Sequence, residues 1–571
     1  MSFTSWQFAA LLLGVFALYW QLPWRGRTWL LLASSYIFYG AWDPRFLALH
    51  FTTTVVDFYA ALAMEKRRVA LKQVVAMTCV PALWLLFCKI GHDHASDIPW
   101  ERIVPESVLP HVVSLYASVF GRDVSWAHLA PTFALPVIFC VLYTVLWRVP
   151  EQRQRKAFLL LSLGSNLVVL GFFKYANFFA SSLVQMLDAL GWKSVWSLPH
   201  IVLPVGISFY TFQAMSYTID VYRGQTKSVA DFPLFAAFLS FFPQLVAGPI
   251  ERTHQMMPQF STPREWDPAA FQRGGRLLLF GLFKKVFVGD NCALLANYAF
   301  AADTPLNGSW ALLGVLAFAV QIYGDFSGYT DIARGSAQLL GFRLNHNFRL
   351  PYFAQGPSDF WRRWHITLSA WFRDYVYIPL GGNRGGTFAT LRNLGLTMVL
   401  AGLWHGANWT FILWGAYHGA LLIIYRLVPP LHALESAKSR PAVLLGTVVM
   451  FALTLVGWAI FRCGSLAQLG DWFAAFTRWQ STSGIGWSKP AIGEVLAAPA
   501  ANVAVDWLKP ALWFAIHGVP LALLQFAARR SGDESDNGGW PWPVRGIVYV
   551  LMFLAIASST GGEVEFIYFQ F

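Results

Sequence analysis

Long apolar runs alternate with short polar turns from the first residues of the chain. The first run, at about residues 6–24, is followed by Arg25 and Arg27, and a later run, at about residues 46–64, is followed by the string EKRR. Runs of this kind predict transmembrane helices, because roughly 20 apolar residues span the hydrocarbon core of a bilayer. Basic turns favour the cytoplasmic side. The pattern therefore predicts a multi-pass protein whose N-terminus lies on the outer side of the membrane.

Further apolar runs predict a bundle of membrane helices. They lie at about residues 29–41, 74–90, 133–147, 443–460, 511–526 and 544–557. Another run, DFPLFAAFLSFFPQLVAGPIER, is interrupted by Pro243 and by Gly248-Pro249 before it can span. Non-helical backbone is tolerated at membrane depth where it is buried in protein or lines a cavity. We therefore predict an all-α polytopic membrane protein with re-entrant segments.

Composition agrees with a membrane protein and argues against several other classes. The chain is 56% hydrophobic and 13% charged, with 27 Trp and 48 Phe, which is more apolar surface than a soluble protein could cover. Its net charge of +12 suits loops that face anionic lipid, and with no supporting motif we predict no nucleic-acid partner. The five cysteines form no C-x-x-C pair, so neither a disulfide framework nor a zinc ribbon is indicated.

Two histidines stand inside segments otherwise suited to a membrane. His365 lies in PSDFWRRWHITLSAWFRDYVYIPLGGNRGG, and His405 lies in GLWHGANWTFILWGAYHG. An ionisable side chain at membrane depth is costly and is therefore a functional candidate. A buried neutral imidazole can act as a general base toward a hydroxyl, and a second imidazole or an amide can stabilise an oxyanion. The alternative is a pair of core histidines that are hydrogen-bonded to backbone.

The motifs around these histidines favour direct group transfer. The chain has no G-x-S-x-G elbow and no paired-cysteine nucleophile, so transfer without a covalent enzyme intermediate is the simpler mechanism. No Asp, Glu or Cys lies at ligand spacing from either histidine, so no metal is predicted there. In GHDHASD, the residues His92, His94 and Asp97 fit a solvated loop end better than a metal site.

The first histidine segment is predicted to form one helix from Ser358 to Tyr377, with Ser358 as its N-cap. Helical spacing would place one set of residues on a single face, namely Trp361, Trp364, His365, Leu368, Phe372 and Tyr375. Arg362 and Arg363 would point elsewhere, and Asp359 could pair with Arg363. The glycine-rich loop that follows carries Asn383 and Arg384 and could approach a phosphate, although this signal is weak.

The second histidine segment places His405 between Gly402 and Gly406, where small residues allow another backbone or a ligand to approach closely. Three tryptophans crowd this position, namely Trp404, Trp409 and Trp414. In an unbroken helix, His418 would lie more than a third of a turn away from His405. We therefore predict that His418 lies outside the pocket.

Several other charged residues lie near predicted spans. Asp331 and Arg334 are three positions apart and can pair on a helix. A structural ion pair is at least as good an interpretation of them as a role in substrate binding. Lys284 and Lys285 could neutralise phosphates or anchor the chain at the membrane interface.

In these segments and in several others, the sequence resembles the membrane-bound O-acyltransferase (MBOAT) family, in particular its bacterial alginate O-acetyltransferase branch. The matching strings are GFFKYANFF, LPVGISFYTFQAMSYTIDVYRG, FPQLVAGPIER, YGDFSGYTDIARG, FWRRWHITLSAWFRDYVYIPLGGNRGG, GLWHGANWTFILWGAYHG, FRCGSL and FIYFQF. They cover most of the chain in order. The resemblance implies an MBOAT-like helical bundle with a central tunnel. It also implies that His405 is the catalytic histidine and that His365 occupies the second signature position.

The resemblance further implies a bacterial inner-membrane enzyme. A cytoplasmic thioester, acetyl-CoA, would supply the acyl group, with no permanently bound cofactor. A periplasmic SGNH-type acetyltransferase would be the partner, membrane lipid would surround the chain, and an exopolysaccharide such as alginate would be acetylated. Candidate donor-binding residues are Trp361, Arg362, Arg363, Trp364, Asn383, Trp404, Asn408 and Trp409.

One region departs from the family pattern. We expect a single transmembrane domain over residues 1–571, with an insert at residues 70–150 that carries two extra helices and a periplasmic loop. Three rival functions stay open. They are D-alanyl transfer toward teichoic acid, proton-coupled transport of a polysaccharide or lipid, and a non-catalytic scaffold for an acetylation complex.

Overall fold

The computed structural model describes residues 2–94, 126–192, 201–246, 248–301, 306–478, 508–529 and 540–559. Every regular element in these ranges is a helix, which confirms the all-α prediction. Seven of the described helices are long and apolar enough to cross a membrane: Pro44–Met64, Leu71–Asp93, Glu151–Ala189, Gly308–Leu339, Trp409–Leu427, Arg440–Arg462 and Lys509–Ala527.

The chain divides into two compact units, and the first comprises Met1–Pro268 with Leu339–Arg343. Its helices are α1 (Trp6–Tyr19), α2 (Trp24–Gly40), α3 (Pro44–Met64), α4 (Leu71–Asp93), α5 (Trp126–Leu146), α6 (Glu151–Ala189), α7 (Ile207–Arg223), α8 (Phe232–Ser240) and α9 (Thr253–Ser261). The first predicted span is too long, because α1 ends at Tyr19 and α2 begins after the extended Pro23. Proline lacks an N–H and disfavours helix at the preceding residue, so the chain turns there.

Two helices, α4 and α5, occupy the region between residues 70 and 150. Trp84 of α4 donates a hydrogen bond to the Pro44 carbonyl at the start of α3, 2.8 Å away. Tyr143 of α5 packs against Phe158 of α6, with ring centroids 5.8 Å apart. The predicted loop between the two helices, including Asp97, lies largely outside the described residues.

The run predicted to be re-entrant forms the nine-residue helix α8, followed by non-helical backbone. Pro233 lies in its first turn, and the helix ends before Phe241. A Cβ on Gly248 would lie 2.4 Å from the Gln244 Cα, so this close turn requires glycine. The prediction of a segment too short to span is confirmed.

The second unit comprises Ala269–Gln338 and Leu344–Phe571. Its helices are α10 (Pro268–Leu282), α11 (Asp290–Ala299), α12 (Gly308–Leu339), α13 (Pro357–Arg363), α14 (Ile366–Phe372), α15 (Gly386–His405), α16 (Trp409–Leu427), α17 (Pro429–Glu435), α18 (Arg440–Arg462), α19 (Leu466–Ala475), α20 (Leu508–Ala527) and α21 (Trp542–Ser558). Two π-helical segments, Phe283–Gly289 and Arg373–Tyr377, interrupt the α-helical pattern. Such segments often occur at functional sites. Both candidate histidines lie in this unit.

Candidate functional site

His365 lies at a break between two short helices. Helix α13 ends at Arg363, Trp364 is extended, and His365 adopts a left-handed conformation with φ of 42° before α14 begins. The predicted single helix from Ser358 to Tyr377 is therefore wrong, and its N-cap is Gly356 with no side-chain cap. A left-handed residue other than glycine costs about 1–2 kcal/mol. Contacts from elsewhere in the unit must therefore hold His365 in place.

Asn347 and Arg349 hold this turn from both sides. The Ile366 N–H donates to the Asn347 carbonyl over 2.9 Å, and the Arg349 N–H donates to the Arg363 carbonyl over 2.9 Å. The Asn347 Oδ1 also accepts hydrogen bonds from Thr367, at 3.3 Å from its backbone nitrogen and 2.6 Å from its hydroxyl. We call residues 363–367 the His365 turn. Its geometry depends on a non-helical segment that lies 14 to 20 positions upstream in the sequence.

The His365 ring is fully buried among aromatic side chains. Its exposure is 0%, and it meets the Phe326 ring edge-on at 4.7 Å and the Trp404 ring at 6.1 Å. His365 lies outside the seven candidate spans, and burial lowers its pKa to about 3. The imidazole is therefore neutral near neutral pH and carries one N–H donor and one nitrogen acceptor.

His405 is the last residue of α15. Gly406 is extended, and Asn408 caps α16 by accepting a hydrogen bond from the Thr410 N–H at 3.1 Å. The helix is therefore broken after His405, and the premise of an unbroken helix to His418 is wrong. The string H-G-A-N carries the signal for this break, because Gly406 and Asn408 are typical helix-end residues.

Helices α15 and α16 form a tightly packed antiparallel hairpin. A Cβ on Gly402 would lie 2.2 Å from the Phe411 carbonyl oxygen, and one on Gly415 would lie 2.3 Å from the Met398 carbonyl oxygen. Backbone is in contact with backbone at both places, so the predicted close approach beside His405 is confirmed. It is a neighbouring helix that approaches there.

The hairpin brings the three histidines into one aromatic cluster. The Trp404 ring lies 5.0 Å from the His405 ring, and the Trp414 ring lies 4.9 Å from His405 and 4.8 Å from His418. The Trp361 ring lies 5.1 Å from His418. We call these residues, together with His365, the histidine cluster. Trp414 contacts His405 across the hairpin and contacts His418 one turn further along its own helix, so His418 belongs to this cluster.

The histidine cluster is apolar in its packing but retains polar atoms. His405 is only 4% exposed. The indole nitrogens of Trp361 and Trp414 and the Nδ1 of His418 are buried and have no hydrogen-bond partner among the described residues. Buried polar atoms normally have a partner. The cluster could therefore donate hydrogen bonds to a bound polar group, while its rings exclude water from a base.

Two further predicted residues lie beside the cluster. Trp364 is buried, with its ring 4.8 Å from Trp458 and 5.0 Å from Phe348. Asn408 has a structural role, since its Nδ2 also donates to the Gly464 carbonyl at 2.7 Å. Sequence reasoning did not select Trp458, which is buried in the middle of this wall.

The remaining predicted donor-binding residues are not gathered at the cluster. Arg362 is exposed, and Arg363 pairs with Asp359 at 2.8 Å as predicted. Asn383 is exposed and accepts a hydrogen bond from the Tyr377 hydroxyl at 2.5 Å. Trp409 is 54% exposed. These residues could meet a ligand only outside the buried histidine cluster.

Lys284 and Lys285 are buried in ion pairs, which excludes the predicted role of interfacial anchors. The Lys285 ammonium lies 2.7 Å from both the Asp290 and the Asp325 carboxylates. Lys284 pairs with Asp331. Both lysines belong to the π-helical segment Phe283–Gly289.

Asp331 also pairs with Arg334. The two side chains approach to 2.9 Å, which confirms the ion pair predicted from their spacing. Asp331 therefore receives two cationic partners, one from its own helix and one from the π-helical segment.

Comparison with known proteins finds similarity over the region that contains the histidine cluster. Residues 227–467 match the model of the membrane-bound O-acyltransferase family, MBOAT, and this region contains all three histidines of the cluster. The probable alginate O-acetylase AlgI of Pseudomonas aeruginosa is 46% identical over 335 residues, which cover 58% of this chain and 62% of that protein. The chain thus matches less than two thirds of the length of this relative.

Two other relatives have names that denote different activities. The peptidoglycan O-acetyltransferase of Helicobacter pylori is 38% identical over 338 residues, covering 55% of this chain and 63% of that protein. The teichoic acid D-alanyltransferase of Bacillus subtilis is 27% identical over 285 residues, covering 46% and 70%. The family match and the seven candidate spans together show a multi-pass membrane protein.

Proposed function

We propose that this chain, which belongs to the membrane-bound O-acyltransferase family in its alginate O-acetylase-like branch, moves an acetyl group from a cytoplasmic thioester to a hydroxyl acceptor for O-acetylation of an exopolysaccharide. The observation that carries this proposal is the position of His405. Its imidazole ends a helix inside a buried wall of tryptophans, within the region that matches the family. A base protected from water is what acyl transfer to a hydroxyl other than water requires.

In the proposed reaction His405 is the general base. As the acceptor oxygen attacks the thioester carbonyl carbon, His405 takes the hydroxyl proton. The tetrahedral intermediate then collapses, the C–S bond breaks, and the leaving thiolate takes a proton from the imidazolium. The base is thereby regenerated, and no covalent enzyme intermediate is needed.

His365 and the indole donors have a supporting role in this proposal. A neutral imidazole and an indole N–H can donate hydrogen bonds to the oxyanion as negative charge develops. Trp361 and Trp414 present buried indole N–H groups near His405 and His418. Their orientation toward a substrate belongs to the proposal.

The cellular setting is also proposed. Acetyl-CoA would be the donor, a bacterial inner membrane would hold the chain with its N-terminus on the periplasmic side, and a central tunnel would connect donor and acceptor. A periplasmic SGNH-type acetyltransferase would pass the acetyl group to the polymer. The support is the similarity to the AlgI relative and the basic turns that follow the first spans.

The test is acetylation of the polymer by the full chain carrying His405→Ala, at a protein level matched to wild type. We expect acetylation to be lost. His432→Ala provides a matched control, because His432 is an exposed histidine of the same unit on α17. Full acetylation by the His405 variant, with normal polymer export, would show that His405 is not the base.

The same experiment separates the rival functions. A transporter would lose polymer export in the His405 variant and would transfer no label from an acetyl donor. A scaffold would tolerate both His405→Ala and His365→Ala. D-alanyl transfer would require label from a D-alanyl carrier protein in place of acetyl-CoA. The lower identity to the D-alanyltransferase, 27% against 46% for AlgI, favours the acetyl donor.

A further inference from the structure

A polar cavity lies beside the His365 turn, within the second unit. The polar residues that define it are Lys284, Ser327, Thr330, Asp331, Arg334 and Asn347. Four of them lie on one face of α12, because positions 327, 330, 331 and 334 follow helical spacing. The cavity is therefore built by a rigid helix, the π-helical segment and the segment that holds the His365 turn.

Among the charged side chains that line the cavity, the cations Lys284 and Arg334 outnumber the single carboxylate of Asp331. Asp331 accepts hydrogen bonds from both Lys284 and Arg334. Arg334 also reaches the His346 Nε2 at 3.0 Å. Two cations therefore face one carboxylate, which is already engaged by both. An anion entering the cavity would meet a net positive charge in a largely buried place, where ionic hydrogen bonds are strong.

Three buried hydrogen-bonding groups at the cavity have no partner among the described residues. They are the Ser327 Oγ, the Thr330 Oγ1 and the Asn347 Nδ2, on side chains that are 2%, 2% and 1% exposed. All three can donate. The Asn347 amide is oriented by the Thr367 N–H, which requires the oxygen on its side, so the nitrogen points away from the turn. A buried hydrogen-bonding group that stays unpaired destabilises the folded state, so a ligand that pairs with it is favoured.

We propose that this cavity binds a single phosphate-type oxyanion. The net positive charge selects an anion over water, and the hydroxyl and amide donors can each satisfy one of its oxygens. Asn347 then joins two structures, since its oxygen holds the His365 turn through Thr367 and its nitrogen contacts the anion. The anion could belong to the acyl donor or to a lipid headgroup. If the anion is a phosphate of the acyl donor, that assignment rests on the proposed function. The binding site itself does not rest on it.

Binding of inorganic phosphate to the purified full chain tests the site. Thermal unfolding is followed in phosphatidylcholine nanodiscs while phosphate replaces chloride at constant ionic strength. We expect a saturable rise in Tm, because a ligand that binds the folded state stabilises it. In Ser327→Ala/Thr330→Val we expect an apparent Kd that is roughly tenfold higher or more, because two hydrogen bonds are lost.

Ser336→Ala is the matched control. Ser336 lies on the same helix, is fully buried, and has an unpartnered Oγ among the described residues, but it does not line the cavity. We expect this variant to bind phosphate like wild type. If the double variant does not fold, Asn347→Asp replaces it, because this change keeps the oxygen acceptors for Thr367 and exchanges the donor for a negative charge.

The outcomes decide both the site and its source. An equal Tm in phosphate and chloride would overturn the proposal, and so would phosphate binding that survives both cavity variants. Competition by coenzyme A, without an effect of phosphatidylglycerol in the nanodisc, assigns the site to donor phosphates. Competition by phosphatidylglycerol assigns it to a lipid headgroup. Binding in the absence of any acetyl transfer would support the site while contradicting the proposed function.

Discussion

The two sides of the His365 turn differ in kind. On one side the histidine cluster packs imidazoles against indoles, such as His405 against Trp414 at 4.9 Å. On the other side the cavity gathers two cations, a carboxylate and three buried groups without a described partner. One side offers a base in a dry environment, and the other offers charge and hydrogen-bond donors. In our two proposals, acyl transfer and anion binding take place on opposite sides of this turn, and Asn347 connects the two sides through Thr367.

The largest expected effect comes from the aromatic side. We expect His405→Gln to lower the rate of acetyl transfer by about 10²–10⁴-fold, because general base catalysis contributes this much. The unfolding midpoint should change far less than the rate. The measurement is transfer of labelled acetyl to polymer alongside thermal unfolding. A variant that unfolds to the same degree as it loses activity would point to a structural role for His405.

The packing of α15 against α16, which builds the aromatic side, should be destabilised when one methyl group is added at the contact between the two helices. We expect Gly402→Ala to reduce the free energy of unfolding by about 1–3 kcal/mol, because its Cβ would lie 2.2 Å from the Phe411 carbonyl oxygen. Gly395→Ala is the control on the same helix, since its Cβ would find its nearest neighbour, the Ile423 Cδ1, at 3.9 Å. Equal unfolding midpoints for the two variants would contradict the tight hairpin.

Two substitutions at His365 separate the effect of its left-handed backbone on stability from the effect of its imidazole on activity. His365→Gly and His365→Ala both remove the imidazole, but only glycine adopts a φ of 42° without cost. We expect the glycine variant to be more stable by about 1 kcal/mol, with acetyl transfer reduced equally in both. Chemical denaturation and the transfer assay measure these two effects. An alanine variant as stable as the glycine variant would mean that the turn is not left-handed.

The smallest effect should come from the contact that joins the two sides. Thr367→Val removes the hydroxyl that donates to the Asn347 Oδ1 at 2.6 Å, at a cost of about 1 kcal/mol. We expect the rate of acetyl transfer to fall several-fold and Thr367→Ser to restore it. The readout is kcat against KM for the donor. A change that serine does not rescue would argue against the hydrogen bond.

Features that depend on neighbouring residues were predictable from the chain. The Asp331–Arg334 and Asp359–Arg363 pairs follow from helical spacing, and both are present. The interruption after α8 follows from Pro243 and Gly248, which restrict the backbone locally. The apolar setting of His365 and His405 also marked them as candidates, because an ionisable side chain is costly among apolar residues.

Features that depend on distant contacts were not predictable. A helical pattern around His365 predicts one helix, but Asn347, 20 positions before Thr367, stabilises a left-handed break. His418 was excluded by counting along one helix, but the chain turns back after His405, so that Trp414, one helical turn before His418, packs against His405. Lys284 and Lys285 read as interfacial, but carboxylates on α12 and α11 hold them in the interior.

The sequence by itself indicated an all-helical membrane protein, its resemblance to one family and its two candidate histidines, because composition, period and motif are local properties. Only the tertiary structure decided which of the predicted residues meet. It brought His418 to the cluster, left Arg362, Asn383 and Trp409 outside, and placed Asn347 between the cluster and a polar cavity. The physical reason is that backbone breaks at single residues redirect whole helices. Their stability comes from hydrogen bonds and packing between segments far apart in the chain.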